Sequence, residues 1–228
     1  MAARNQEGLD EVVGLLPAVE GRAHRSVQLD FAGPGTVWEA VEHHLEVNGP
    51  IHILVNNTGG PPPGPVTEAS PEQFTTWFSR HLVCNHILAQ ATMPGMQAAG
   101  YGRIVNIIST SVKQPIPGLG VSNTIRAAVA GWAKTLATEV AAHGITVNNV
   151  LPGATLTDRL RSIIQRKAET AGTSEQEAKA RMQAEIPAGR FGTPEEVAAA
   201  VGFLAGPTAG YITGVSLAVD GGRISSLS

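Results

Sequence analysis

Short apolar segments separated by stretches of helix length recur along this chain, and this alternation constrains the fold more than any other feature. Segments rich in Ile, Val and Leu predict buried strands over 51–55, 103–108 and 146–151. A long Ala-rich helix is predicted over 122–142, between the second and the third of these strands. Because strands that alternate with helices are joined by crossovers, the pattern predicts an α/β fold with a parallel sheet.

Helix-capping signals support the same division of the chain. Segment 70–73 places an N-cap serine, a proline at the first helical position and a glutamine at the reciprocal capping position ahead of a predicted helix over 71–98. Segment 193–196 repeats that signature before a helix that extends to about residue 204. The other predicted elements are helices over 8–16 and 36–46 and strands over 26–30 and 214–220.

Composition and charge exclude several classes of protein. A chain of 228 residues with 43% hydrophobic residues can bury one sizeable core, so a single domain over 1–228 is expected. The net charge of -3 and the scattered Lys and Arg residues argue against nucleic acid as a partner. No apolar run reaches the length of about 18 residues that a membrane span needs. With Cys84 as the only cysteine and no recognisable signal peptide, a cytoplasmic location and no membrane partner are expected.

Five landmarks resemble one known family. Asn56-Asn57-Thr58-Gly59 is similar to the Asn-Asn-Ala-Gly motif of short-chain dehydrogenase/reductases, with Thr58 in place of Ala. The resemblance implies a Rossmann-type, doubly wound parallel sheet with helices on both faces and ligands beyond the carboxyl ends of the strands. The other landmarks, similar in order and spacing over nearly the whole chain, are Gly102–Ser109, Arg126–Gly131, Pro152–Gly153 and Asp220–Gly222.

The beginning of the chain departs from the family's pattern. Segment 2–5 is similar to the family's sequence just after its second strand, so we expect an incomplete domain without the first strand, the glycine-rich loop, the first helix and the second strand. That loop would hold the pyrophosphate of a dinucleotide, so weakened binding is expected. Arg4 resembles a basic residue that can favour the 2′-phosphate of NADP over NAD, although a solvated terminal charge explains it equally well. Asp30 resembles the acid near the adenine ring.

The expected catalytic positions also depart from the family. There, a tyrosine and a lysine four residues apart carry proton transfer, and a serine thirteen residues before the tyrosine polarises the substrate carbonyl. Ser109 matches that serine, whereas Ser122 and Arg126 stand at the tyrosine and lysine positions. A serine hydroxyl needs an adjacent base to take part in proton transfer. Arg126 stays protonated and can hold a ribose or an anionic substrate, but it cannot shuttle a proton.

A histidine stands where the family has an active-site asparagine. Counting thirteen residues back from Pro94, which is taken as the helix-ending proline, gives His81. Histidine is the usual general acid or base, so His81 beside Arg126 is a candidate proton donor in place of the tyrosine. A structural histidine on a helix is the more common alternative.

The cofactor positions are carried over from the family's motifs. Thr155 and Thr157 resemble its contacts to the nicotinamide amide and the phosphate, and the charged helix expected over 158–185 resembles its mobile substrate lid. No metal site is expected. The expected cofactor contacts are Arg4, Asp30, Asn56, Thr58, Gly59, Arg126, Pro152, Gly153, Thr155 and Thr157.

The resemblance implies an NAD(P)-dependent oxidoreductase acting on a small carbonyl compound or secondary alcohol, similar to 3-oxoacyl reductases, with NADP slightly favoured. One alternative is a catalytically impaired scaffold, because the loop, the tyrosine and the lysine are all missing. Another is a cofactor-free lyase of the halohydrin dehalogenase type, against which Ser122 argues because those enzymes keep the tyrosine. The family also implies a homodimer or homotetramer formed through the helices at 71–98 and 122–142.

Overall fold

The computed structural model describes residues 1–21 and 23–226, so Arg22, Leu227 and Ser228 of the predicted domain lie outside the described residues. Strands and helices alternate along the chain, as predicted. The strands are β1 (Ala2–Ala3), β2 (Val27–Gln28), β3 (Ile53–Asn56), β4 (Gly102–Ile107), β5 (Ile145–Pro152) and β6 (Ser216–Val219). The helices are α1 (Gln6–Leu15), α2 (Pro34–Asn48), α3 (Pro71–Phe78), α4 (Cys84–Ala99), α5 (Gly120–Val140), α6 (Asp158–Ala171), α7 (Glu175–Ala184) and α8 (Pro194–Ala205).

The main sheet is parallel, with its strands in the order β3-β4-β5-β6. Strands that follow one another in the chain are therefore neighbours, and each connection between them contains at least one helix. Parallel strands require such crossovers because a tight hairpin would reverse the chain direction. The predicted α/β fold with a parallel sheet is confirmed.

Helices cover both faces of this sheet. On one face, Ile104 of β4 belongs to a core cluster with Met96 of α4 and Ala133 of α5. Its neighbour Val105 belongs to a cluster on the other face, with Leu204 of α8. Successive side chains of a strand point to opposite faces, so β4, in which Ile104 and Val105 are both buried, has to be covered on both.

Segment 2–5 was expected to follow a strand, but its residues Ala2 and Ala3 themselves form the strand β1 and pair in parallel with β2. Two alanines carry no strand periodicity, and only the pairing with distant residues defines this strand. Within the described residues β1 and β2 form a separate two-stranded sheet, which leaves β3 as an edge of the main sheet. Ile53 and Val55 of β3 are accordingly 46% and 44% exposed.

Two predicted helices are interrupted. The helix expected over 71–98 is divided into α3 and α4 by a π-helical turn, Ser79–Val83, and Pro94 lies inside α4 rather than at its end. The single lid helix expected over 158–185 is two helices, because α6 ends at Gly172, which has a φ of 62°. Glycine adopts this left-handed conformation without the steric penalty that other residues incur.

Candidate active site

The carboxyl ends of β3, β4 and β5 meet at one edge of the sheet, as the parallel pairing requires. The loop that begins at Asn57 follows β3, Ser109 follows β4, and Thr155 and Thr157 follow β5. The fold therefore brings together the matched motifs that are separated by about 100 residues in the chain. The side chain of Arg126, which belongs to α5, reaches the same edge at the end of β4.

Arg126 is the buried cation of this edge, with only 9% of the residue exposed. Its Nη1 donates a hydrogen bond of 2.9 Å to the carbonyl oxygen of Ile107 at the end of β4. Burial, and then the charge of Arg159, lower its pKa to about 10. The guanidinium consequently stays charged at neutral pH and is fixed in position beside the end of β4.

Ser109 lies next to the anchor of Arg126 and caps a short 3₁₀ turn, Thr110–Val112. Its Oγ accepts a hydrogen bond of 3.1 Å from the backbone N–H of Ser111. Since a hydroxyl both accepts and donates, its hydrogen is free to point at a substrate oxygen. Ser122 is buried one helical turn before Arg126 on α5, so the two expected positions share one helix face.

His81 lies in the π-helical turn and is 2% exposed. The hydroxyl of Thr58, after β3, hydrogen-bonds to its Nδ1 at 2.7 Å. The ring of Trp77 lies 5.8 Å from the imidazole, centroid to centroid. The buried Nε2 atom has no hydrogen-bond partner among the described residues. His81 therefore links helix α3 to the loop that follows β3.

The surroundings of His81 keep its imidazole neutral. Burial, followed by the charge of Arg126, lowers its pKa to about 4. The charges of Arg159 and Arg80 act in the same direction, and the backbone of Gly59 opposes them. At pH 7 about one molecule in a thousand would carry the imidazolium, which is the form that donates a proton as a general acid. The environment thus supports the structural alternative for His81 over the role of proton donor.

Arg159 is the residue of this site that the sequence reasoning missed. It lies in the first turn of α6, and its Nη1 and Nη2 donate to the carbonyl oxygens of Gly60 and Pro61 at 3.3 and 3.1 Å. The lid helix is thereby tied to the loop after β3. An arginine shortly after Thr157 was the available signal, but nothing in the sequence relates it to a loop about 100 residues earlier.

Two of the expected cofactor contacts have a structural function. The Nδ2 of buried Asn56 donates to Asn106 Oδ1 at 2.9 Å, and Asn106 bonds onward to Asn149, so Asn56 belongs to a row of amides across three strands. At Gly153, a Cβ would lie 2.7 Å from the Cα of Asp220, so a glycine is needed where β5 meets the end of β6. Pro152 is the last residue of β5 and pairs with Val219 of β6.

The remaining expected contacts are placed where a ligand can reach them. Gly59 is exposed, and no atom lies within 4 Å of the position that a Cβ would take there. Thr157 caps α6 with its hydroxyl, and the hydroxyl of Thr155 donates to the carbonyl oxygen of Gly153 at 3.3 Å. Asp30 accepts a hydrogen bond from the N–H of Ala32 after β2, and exposed Arg4 follows β1.

These observations fit the nicotinamide and ribose half of a dinucleotide. The open backbone at Gly59 permits close approach of a ribose, and the guanidinium of Arg126 offers donors to ribose hydroxyls. Beyond the end of β4 lies a cavity of about 220 Å³, lined in part by Thr110, Gln114 and Arg223. No group of three or more His, Cys, Asp or Glu side chains in the described part of the chain is arranged to hold a metal ion. Within residues 1–21 and 23–226, no helix has the length and hydropathy of a membrane span.

Comparisons with known proteins agree with this geometry. A family described as enoyl-(acyl carrier protein) reductase matches residues 1–223. The 3-oxoacyl-[acyl-carrier-protein] reductase FabG of Haemophilus influenzae is 36% identical, with 92% of this chain and 86% of that protein covered. The diacetyl reductase [(S)-acetoin forming] of Staphylococcus aureus is 33% identical over 85% of this chain and 75% of that protein. The structure of L-sorbose reductase from Gluconobacter frateurii, complexed with NADPH and L-sorbose, matches with a TM-score of 0.91 and 31% identity, covering 99% of this chain and 86% of that one.

Proposed function

The chain belongs to the short-chain dehydrogenase/reductase family, and on that premise we propose that it is an NAD(P)-dependent oxidoreductase interconverting a carbonyl compound and a secondary alcohol. The observation that carries the proposal is that Arg126 is bonded to the carbonyl oxygen of Ile107, two residues before Ser109, at the carboxyl end of β4 and beside the loop that contains open Gly59. A hydroxyl donor and a fixed cation at this edge suit a carbonyl oxygen on which negative charge develops.

The residues have distinct roles in this proposal. The Ser109 hydroxyl donates to the carbonyl oxygen of the substrate while accepting from Ser111. Arg126 stabilises the developing alkoxide by its charge. The nicotinamide, when bound, supplies or accepts the hydride. Solvent water supplies the proton, because His81 is neutral at working pH and a serine hydroxyl such as that of Ser122 is too weak an acid to replace the tyrosine.

The cofactor and the substrate class are proposed on narrower grounds. Arg4, which is exposed at the end of β1, supports NADP over NAD because an arginine suits a 2′-phosphate. The relatives reduce different carbonyl compounds by name, including 3-oxoacyl groups and diacetyl, which supports a reductase of the 3-oxoacyl type without selecting one substrate. A homodimer or homotetramer through α3–α4 and α5, and a cytoplasmic location, stay predictions.

The test is a titration with NADPH and NADH followed by tryptophan fluorescence, since Trp77 contacts His81 at the site. Saturable binding at micromolar cofactor is expected, with a lower dissociation constant for NADPH than for NADH, together with oxidation of NADPH by a carbonyl substrate. Ser109→Ala should reduce turnover at least tenfold without changing cofactor affinity. Ser162→Ala, a serine on the exposed side of α6, is the matched control and should leave both unchanged.

A second candidate function is a scaffold without turnover. It is favoured by Ser122 at the position of the proton-transferring tyrosine and by the low pKa of His81, which together leave the site without a built-in acid. Absence of saturable binding up to millimolar NADPH and NADH would support this alternative and contradict the oxidoreductase. Cleavage of a halohydrin without cofactor would instead support the lyase.

A further inference from the structure

Two arginines from distant elements converge on Gly60. A Cβ built at Gly60 would lie 3.1 Å from Nη2 of Arg126 and 3.1 Å from Nη2 of Arg159. Both guanidiniums therefore lie against Gly60, one extending from α5 and the other from the first turn of α6. Like charges at this separation repel, so their convergence costs free energy in the unliganded protein.

Among residues 1–21 and 23–226, no acidic side chain forms an ion pair with Arg126 or Arg159. The ion pairs in the described part of the chain are Arg161–Asp158, Arg190–Glu196 and Arg223–Glu185, and none of them involves either arginine. Arg126 and Arg159 bond only to neutral backbone carbonyl oxygens. A buried cation without an anionic partner is unfavourable in protein interiors.

A third observation is consistent with positive charge at the site. Burial first, and then the charges of Arg126, Arg159 and Arg80, lower the pKa of His81, and its buried Nε2 lacks a hydrogen-bond partner among the described residues. Arg80 itself is held over the ring of Trp77, with its guanidinium carbon 5.2 Å from the ring centroid. The site thus has an excess of donors and positive charge, and it lacks an acceptor with negative charge.

We propose that Arg126 and Arg159 together bind the carboxylate of the substrate, so that the substrate is an oxo acid, or the corresponding hydroxy acid, rather than a neutral ketone or a thioester. The inference rests on the proposed oxidoreductase function and specifies its substrate class. A carboxylate is planar and has two oxygens, so each can accept from one guanidinium fork. Because Arg159 belongs to α6, the bound carboxylate also connects the lid to the body of the site.

Binding is tested without turnover. Acetoacetate and its neutral methyl ester are each titrated into the protein without cofactor. The readouts are tryptophan fluorescence, to which Trp77 contributes, and thermal unfolding. Acetoacetate should bind saturably and raise Tm, and methyl acetoacetate should bind at least tenfold more weakly. Arg159→Gln should reduce acetoacetate affinity at least tenfold, with partial recovery in Arg159→Lys. Arg159 is exposed, so these variants should fold normally.

The matched control is Arg161→Gln, because Arg161 lies on the same helix but is exposed and paired with Asp158. It should bind acetoacetate like the parent protein. Equal affinity for acid and ester, or an effect of Arg161→Gln as large as that of Arg159→Gln, overturns the inference. Inorganic phosphate binding as tightly as acetoacetate also overturns it, since the arginines would then form a general anion site.

Three outcomes distinguish a failure of this inference from a failure of the proposed oxidoreductase function. If Arg159→Gln weakens NADPH binding and leaves acetoacetate binding intact, the pair serves a cofactor phosphate and the inference is wrong. If acetoacetate binding depends on Arg159 but NADPH neither binds nor is oxidised, the carboxylate site stands and the oxidoreductase proposal fails. If NADPH reduces the ester as fast as the acid, the oxidoreductase stands and the carboxylate site fails.

Discussion

Buried His81 should make the stability of this protein depend on pH in a way that one substitution removes. In the unfolded chain a histidine titrates near pH 6.5, whereas in the folded protein burial and the charge of Arg126 lower the pKa of His81 to about 4. The folded state therefore binds fewer protons between these values, and its stability falls as the pH falls from 6.5 towards 4. Proton linkage predicts that the free energy of unfolding decreases by about 2 kcal/mol between pH 7 and pH 5.

The measurement is urea unfolding of the parent protein and of His81→Gln at pH 7, 6 and 5. The variant loses the contact with Thr58, so its absolute stability will differ, and the informative quantity is the change of unfolding free energy with pH. That change should be smaller in the variant by about 2 kcal/mol. The control is His143→Gln, an exposed histidine whose removal should preserve the parent's pH dependence. A His81→Gln variant that loses as much stability between pH 7 and pH 5 as the parent would refute this account of the histidine's environment.

Four further substitutions test the fold by urea unfolding. Gly144→Ala should lower the free energy of unfolding by at least about 2 kcal/mol, because the φ of Gly144 is 71° and a Cβ would lie 2.3 Å from the carbonyl oxygen of Gly100. Gly131 is exposed within α5, so Gly131→Ala should instead raise the free energy of unfolding by about 0.5–1 kcal/mol. Thr193→Ala should cost about 1 kcal/mol by removing the N-cap of α8, and an unchanged midpoint would contradict that role. Arg103→Lys should cost at least about 2 kcal/mol, since the guanidinium bonds three backbone carbonyls, and a loss under 0.5 kcal/mol would show that lysine replaces them.

The parallel sheet and part of the site could be predicted from the sequence because local patterns carry that information. The apolar runs of β4 and β5 specify strands buried on both faces, and the capping signature at 193–196 specifies where α8 begins. Once the strands are parallel, their carboxyl ends share an edge, so Ser109 and Thr155 had to lie near each other. The distance along α5 likewise determined that Ser122 and Arg126 share a face.

Tertiary structure alone decided the features that depend on contacts between distant residues. Ala2 and Ala3 are a strand only because Val27 and Gln28 pair with them. Arg159 reaches the site only because α6 packs over the loop after β3.

The same reason explains the chemistry of His81. Sequence placed this histidine on a helix and offered it as a proton donor, but its pKa is determined by burial and by the nearby charge of Arg126. Desolvation and Coulomb energy depend on distances in space, whereas hydrophobic periodicity and motif spacing report only distances along the chain. The sequence by itself therefore determined which strand-end groups share the edge of the sheet, whereas the packing around them brought Arg159 to that edge and decided that His81 is neutral.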